Sequence, residues 1–225
     1  MSAYFGAAAA AVLYGWGLVM LLWIRTCQHK AATGSSGFNG FGKTPGAAAR
    51  VAGTCFAAAV IVGLVAPLLT AFKLVSYITG PAETWTAGPG VWVGLLLTAA
   101  GFTMAVVAQN TMGTSWRIGV DPAERTDLIT HGVFGRVRNP IFTAMIAAQA
   151  GTALMAPNWL SILGVLLLIV GLQLQVRLIE EPYLTRTHGS TYTDYAARAG
   201  RFLPGLGRLS RRPQARRGAE QERMS

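Results

Sequence analysis

Acidic residues and cysteine are both scarce in this chain. Of its 225 residues only 9 are Asp or Glu, against 19 Lys or Arg, and charged residues make up 12%. An average soluble domain carries roughly 25%. So few charges, with 52% apolar residues, argue against an ordinary soluble domain and for a membrane protein. Two cysteines, Cys27 and Cys55, stand far apart with no CxxC, which excludes a disulfide framework and a zinc site. They read as inert packing thiols. The three histidines have no metal-ligand spacing, so no metal is expected. No G-x-G-x-x-G occurs, which removes a Rossmann-type dinucleotide loop and nothing more. Internal repeats are absent.

What is present is long apolar runs. A spanning helix needs about 20 mostly apolar residues, and Ala3–Ile24, Val51–Phe72 and Val91–Met112 qualify. The first has no Lys or Arg before it and exceeds the roughly 7–15 apolar residues of a secretory signal, so it reads as a retained helix. Ile141–Ala156 and Leu160–Val176 are each slightly short and are separated by "PNW", which predicts a helical hairpin with a tight turn. The expected fold is all-α: a polytopic integral membrane protein with five transmembrane helices, the last two a hairpin, and a C-terminal cytoplasmic cofactor-binding region.

Positive charge sets the sidedness. With the N-terminus outside, every Lys and Arg except Lys73 falls on the cytoplasmic side. A multi-pass protein of the plasma or inner membrane with a cytoplasmic C-terminus is therefore expected. Three regions follow: residues 1–90 hold two helices and a linker, residues 91–204 form the core, and residues 205–225 form a disordered basic tail. "ATGSSGFNGFGKTPG" reads as the flexible linker. The tail, "RLSRRPQARRGAEQERMS", is attracted to anionic lipid on a membrane's inner face. Membrane lipids are thus expected partners and nucleic acid is not.

Two cytoplasmic stretches hold most of the informative polar residues. In "HGVFGRVRNPIF" (131–142), Gly132 and Gly135 permit a turning backbone. Asn139-Pro140 opens the next helix at its first turn, and the free N–H groups there suit an anion. A cationic anchor beside a helix would look alike. In "RLIEEPYLTRTHGSTYTDY" (177–195), Arg177 and Glu180 share a helix face. Ionisable groups at a membrane boundary are functional candidates, although a salt bridge at the helix exit is the plainer alternative.

Together the two stretches, the hairpin between them and the closing "RFLP" resemble the isoprenylcysteine carboxyl methyltransferase family, itself akin to membrane phospholipid methyltransferases. The resemblance covers roughly residues 91–204. It implies an S-adenosylmethionine-dependent enzyme whose cofactor enters from the cytosol, and a lipophilic carboxylate acceptor, isoprenylcysteine-like or a lipid, that enters from the bilayer. Thr126, Asp127, Leu128 and Ile129, with His131, Phe134 and Arg138–Phe142 (Arg138, Asn139, Pro140, Ile141 and Phe142), would wrap the cofactor. Glu180 and Glu181 would hold its polar parts, Arg177 would meet the acceptor carboxylate, and Arg201 is placed with the acceptor. Arg177 and Glu180 are the catalytic pair. Tyr192 and Tyr195 fall in the family's C-terminal cover. The family usually has His where Asn139 stands; Asn keeps a donor and an acceptor but cannot titrate.

Methyl transfer to an ionised carboxylate needs no general base, so alignment and electrostatics suffice. Two other enzyme classes remain: N-methylation of a phospholipid amine, for which Arg177 is a poor partner, and a sterol-reductase-like membrane enzyme using a nicotinamide cofactor. A non-catalytic scaffold is the last alternative. Gln109, Asn110, Gln149, Gln173 and Gln175 are expected in interhelical hydrogen bonds, and the Gly94 to Gly101 spacing in helix packing. His131 and His188 read as loop residues, His131 beside the cofactor loop, and His29 as solvent-facing.

Overall fold

The computed structural model describes residues 3–37, 46–76, 88–116 and 127–210. Helix α1 (Ala3–Leu18) continues without a break through a π-helical turn (Val19–Ile24) into α2 (Arg25–Thr33). Helices α3 (Ala47–Ala71) and α4 (Pro89–Met112) follow, then α5 (Pro140–Met155) and α6 (Trp159–Leu174). A second π-helical turn (Gln175–Glu180) leads into α7 (Glu181–Arg198). Proline opens α4 and α5 in the first turn, where its missing N–H has no helical partner to lose. Among the described residues the secondary structure is helical, apart from an isolated parallel bridge between Val137 and Gly200.

Four helical stretches are long and apolar enough to cross a membrane: Tyr4–Thr33, Ala47–Ala71, Pro89–Met112 and Trp159–Arg198. The fifth, α5, has 16 residues. At 1.5 Å per residue it reaches only about 24 Å, short of a hydrocarbon core about 30 Å thick. The shortness expected of the last span is corrected. Leu160–Val176 belongs to a helix that starts at Trp159 and stays helical past the end of the apolar run, as far as the kink at Gly189. Asn158 makes the hairpin turn: its Oδ1 caps α6 at Ser161 N (2.9 Å), and its Nδ2 donates to Thr70 Oγ1 (2.9 Å).

Small residues set the helix spacing. A Cβ on Gly94 would stand 2.5 Å from Gly151 O, and one on Gly101 would stand 2.6 Å from Ala148 N. So α4 and α5 touch backbone to backbone, as expected for apolar helices with no water to expel. Gln149 joins three helices, accepting from Tyr14 Oη and donating to Ala59 O, both at 3.0 Å. Gln109 donates to Leu21 O. Gln173 and Gln175, by contrast, bond within their own helix, and Asn110 is exposed.

Helices α1 and α4 run side by side in the same direction, with Gly6 near Val91 and Gly17 near Phe102. Helix α3 meets α1 at Tyr14–Gly63 and Gly15–Leu64. Beyond Leu18 the α1–α2 helix leans on the end of α4, where Arg25 Nη2 donates to the carbonyls of Gln109 (3.0 Å) and Gly113 (2.8 Å). The first turns of α3 lean instead on Ile179 and Tyr183. The two helices therefore part toward the end where α4 finishes and α5 begins.

Candidate functional site

A cavity of about 210 Å³ lies at that end. One wall is the segment before and into α5: Asp127, Leu128, Ile129, Phe134 and Arg138 through Phe142. The facing wall is the long helix, with Val176, Glu180, Glu181, Leu184 and His188. Tyr192 and Tyr195 cover it, and Leu18, Leu21, Leu22, Phe56 and Met145 form an apolar extension toward the bundle interior. Both π-helical turns contribute lining residues, Leu21 and Leu22 from one and Val176 and Glu180 from the other. Such widened turns recur at functional sites.

The cover exists because α7 turns back on itself. Gly189 has φ 54° and ψ −126° inside the helix, a conformation a side chain resists, and the kink carries Tyr192 and Tyr195 over the cavity. Tyr195 Oη donates to Phe134 O at 2.7 Å, and Leu128 packs against the cluster that Tyr192 and Tyr195 form with Ala196 and Ala199. Gly132 takes φ 59° at the start of the short 3-10 turn Gly132–Gly135, while Gly135 keeps a negative φ.

A strap, residues 199–209, then closes over the loop. Arg138 N donates to Gly200 O (2.8 Å), Gly200 N to Arg136 O (3.0 Å) and Asn139 N to Arg201 O (3.1 Å). Side chains add to it, Asn139 Nδ2 to Arg201 O (3.0 Å) and Thr143 Oγ1 to Phe202 O (2.7 Å). Residues 205–209 belong to this strap, not to a loose tail, since Gly207 O accepts from Arg138 and Leu209 N donates to Ala196 O.

Glu181 is the ionic centre of the closure. Arg138 Nη2 reaches its Oε1 at 2.6 Å, and Arg201 binds both oxygens at 2.8 Å each. The remaining reach of Arg138 goes to the carbonyls of Ala196 and Ala199, both at 2.8 Å. Hydrogen bonding to the carboxylate raises the pKa of Arg201 above its ordinary value, so the pair stays charged. Glu181 and Arg138 touch the cavity, but the carboxylate oxygens of the one and both Nη atoms of the other are committed to holding the strap.

The structure brings most of the expected residues together: Asp127, Leu128, Ile129, Phe134, Arg138, Asn139, Pro140, Ile141, Phe142, Glu180 and Glu181 all line one cavity. Thr126 lies outside the described residues, as do most of the linker (38–45) and the tail from 211 onward. Three expected residues are not among those lining it. His131 is exposed at the start of the turn. Arg201 faces Glu181. Arg177 is exposed one turn before Glu180, with Nε donating to Gln173 Oε1 at 2.8 Å.

Two histidine expectations are corrected. His188 lines the cavity, because α7 continues past the apolar run and brings its third turn onto the wall. His29 is 7% exposed and stands 5.6 Å edge-on from Trp116, whose own side chain is buried in the cavity wall. Cys27 is exposed, so it is no packing thiol. The contributions of Leu18, Leu22, Phe56 and Trp116 went unforeseen. An apolar residue inside an apolar span carries no local mark of the face it presents.

Comparison with known proteins agrees with the motifs. Residues 89–191 match the sequence model of the phospholipid methyltransferase family. A protein-S-isoprenylcysteine O-methyltransferase of Dictyostelium discoideum is 27% identical over 117 residues, which cover 51% of this chain and 49% of that protein. The chain thus spans about half the length of the curated relative it matches. Both findings support a membrane methyltransferase of the isoprenylcysteine and phospholipid kind. The matched family region starts at α4, so Leu18, Leu22 and Phe56 lie outside it.

Proposed function

We propose that this membrane methyltransferase uses S-adenosylmethionine to form an O-methyl ester on a lipid-tailed carboxylate of the isoprenylcysteine type. The observation that carries the reading is one cavity with two kinds of wall. A polar mouth holds Asp127, Asn139, Glu180 and His188, and an apolar arm holds Leu18, Leu22, Phe56 and Met145. A water-soluble donor and a bilayer-dissolved acceptor need such a junction.

The residues present fit the donor. S-adenosylmethionine is a flat base on a sugar, joined to a sulfonium and an amino acid. Asp127 and Glu180 offer carboxylates to its cationic and hydroxyl groups, and Ile129, Phe134 and Phe142 offer apolar surface to its base. The Gln175 amide donates to Glu180 Oε1 at 3.2 Å, which steadies that carboxylate at the cavity wall. When bound, the cofactor supplies an electrophilic methyl group for in-line attack.

The chain's own work is positional. The strap and the two tyrosines hold the loop against the long helix and keep water from the reacting centre. Asn139, hydrogen-bonded to the strap, has no proton-transfer task, because an ionised carboxylate attacks without a base. Arg177, exposed a turn from Glu180, receives the acceptor carboxylate and orients it. Charge asymmetry supports a cytosolic position for this end of the bundle, with the N-terminus outside.

A second reading, N-methylation of a phospholipid amine, is favoured by the matched family model and by the carboxylates on the wall. One experiment separates the two. Tritiated S-adenosylmethionine is incubated with the detergent-purified protein and a lipid extract, and the labelled product is treated with base. An ester releases volatile methanol, whereas an N-methyl amine keeps its label. Thermal stabilisation by S-adenosylhomocysteine but not by NADPH supports a methyl donor site; the reverse pattern contradicts it.

A further inference from the structure

We propose that the turn 203–206, at the tip of the strap, docks on the anionic headgroup layer of the surrounding bilayer, and that lipid held there keeps the donor cavity closed. The coupling rests on the donor site proposed above; the surface itself rests on geometry. Leu206 N donates to Leu203 O at 3.1 Å, and Arg201 N donates to Leu206 O at 2.7 Å, so residues 202–205 project from the strap as one compact loop. Pro204 is second in the turn and Gly205, with φ 79°, is third, the pattern of a type II turn. Its two end residues point outward: Leu203 is 52% exposed and Leu206 63%, with Pro204 exposed between them.

The occupant follows from where the turn stands and what rings it. Thr143, in the first turn of α5, donates its hydroxyl to Phe202 O at 2.7 Å, so the loop lies against the end of an apolar helix. That helix falls short of the hydrocarbon core, about 24 Å against about 30 Å, and the end of a short helix is left to flanking groups at the interface. Arginines surround the leucines. Arg136, whose carbonyl accepts from Gly200 N, is exposed, and so are Arg198 and Arg208. From 181 to 210 the sole exposed carboxylate is that of Asp194. Apolar side chains among cations match a membrane surface that carries anionic lipid.

The same loop is tied to the donor wall. Arg201 O accepts from the backbone and the side chain of Asn139, and the Arg201 guanidinium holds Glu181; Asn139 and Glu181 both line the cavity. Lipid that retains the turn therefore opposes release of the strap. A ligand held under the closed strap favours docking by the same factor, because coupling between two binding events is reciprocal.

The test uses the full chain in vesicles of phosphatidylcholine, with or without phosphatidylglycerol. A fluorophore is attached to Leu206→Cys in a chain that also carries Cys27→Ser and Cys55→Ser. Phosphatidylcholine bearing a nitroxide near its headgroup should quench it, more strongly once phosphatidylglycerol is present, and high salt should reverse the increase. Brightness that nitroxide lipid or phosphatidylglycerol leaves unchanged overturns the surface.

A second measurement follows S-adenosylhomocysteine binding by calorimetry in the two kinds of vesicle. Phosphatidylglycerol should lower the Kd about fivefold or more, the range of a coupled pair of sites. Leu206→Asp and, separately, the surface change Arg208→Glu should each bring that ratio toward one. A ratio of one in the wild type, or one that survives in both variants, overturns the coupling. Quenching at 206 with no S-adenosylhomocysteine binding in either vesicle leaves the docking surface standing and sinks the donor reading. Binding that is indifferent to lipid, with 206 unquenched, does the opposite.

Discussion

The guanidinium of Arg138 meets the carboxylate of Glu181 at 2.6 Å, both nearly enclosed. Through that contact the loop before α5 is fixed to the start of α7, and Arg201 joins from the strap. Removing Glu181 leaves a buried Arg138 without its counter-charge, which typically costs 3 kcal/mol or more. Glu181→Ala should lower the thermal midpoint by about 10 °C, the shift expected of about 3 kcal/mol in a chain of this size. A midpoint within a degree or two of the wild type would show that the three charges are decorative.

Glu180 differs from its neighbour although the two are adjacent. It lines the cavity and accepts from the Gln175 amide, whereas Glu181 carries the ion pairs to Arg138 and Arg201. Glu180→Ala should leave the midpoint of the ligand-free protein nearly unchanged and abolish its rise with S-adenosylhomocysteine. A retained ligand shift would remove Glu180 from the donor site.

Arg177 stands outside the cavity wall, so its variant should separate binding from turnover. Arg177→Ala should keep the S-adenosylhomocysteine shift and lose about 10- to 100-fold in kcat/KM, the effect of a charge-assisted hydrogen bond of about 1.5–3 kcal/mol. Full activity in this variant would assign the acceptor carboxylate to other groups.

Gly200 permits the strap to pass close to itself. A Cβ there would lie 1.9 Å from Leu203 O, and backbone cannot yield as a flexible side chain can. Gly200→Ala should free the strap, which limited proteolysis between residues 199 and 210 would detect, and weaken S-adenosylhomocysteine binding. Resistance equal to the wild type would mean the strap tolerates the change.

The pH profile carries mechanistic weight of its own. Carboxylates titrate near pH 4, so an ester-forming reaction without a general base should run at a flat kcat from about pH 6 to 8. Attack by an amine requires its neutral form, and the rate would climb with pH. A steep climb would favour the phospholipid amine.

Much of this arrangement was legible in the sequence, and what was hidden shares a physical cause. The apolar runs placed α1, α3 and α4, and the Asn139-Pro140 step marked the start of α5. The loop and Glu180 were found together because their polar residues interrupt otherwise apolar chain. Hydropathy, however, registers composition and not backbone, so it ended the last span at Val176 although the helix runs on to the kink at Gly189. It therefore missed His188. Nor does local pattern reveal partners distant in the chain. Trp116 with His29, and Arg138 with Glu181 and Arg201, become visible only once the helices are packed. The family resemblance marked Arg201 and Glu181 as site residues but not as bound to each other.

The most direct measurement is the fate of the transferred methyl group. Protein incubated with tritiated S-adenosylmethionine and lipid extract should label a lipid-soluble product whose tritium is released as methanol by mild base, and Glu180→Ala should yield none. Absence of labelled product from the wild type, or label that survives base, would contradict the account of an ester formed where the cytosolic mouth meets the apolar arm.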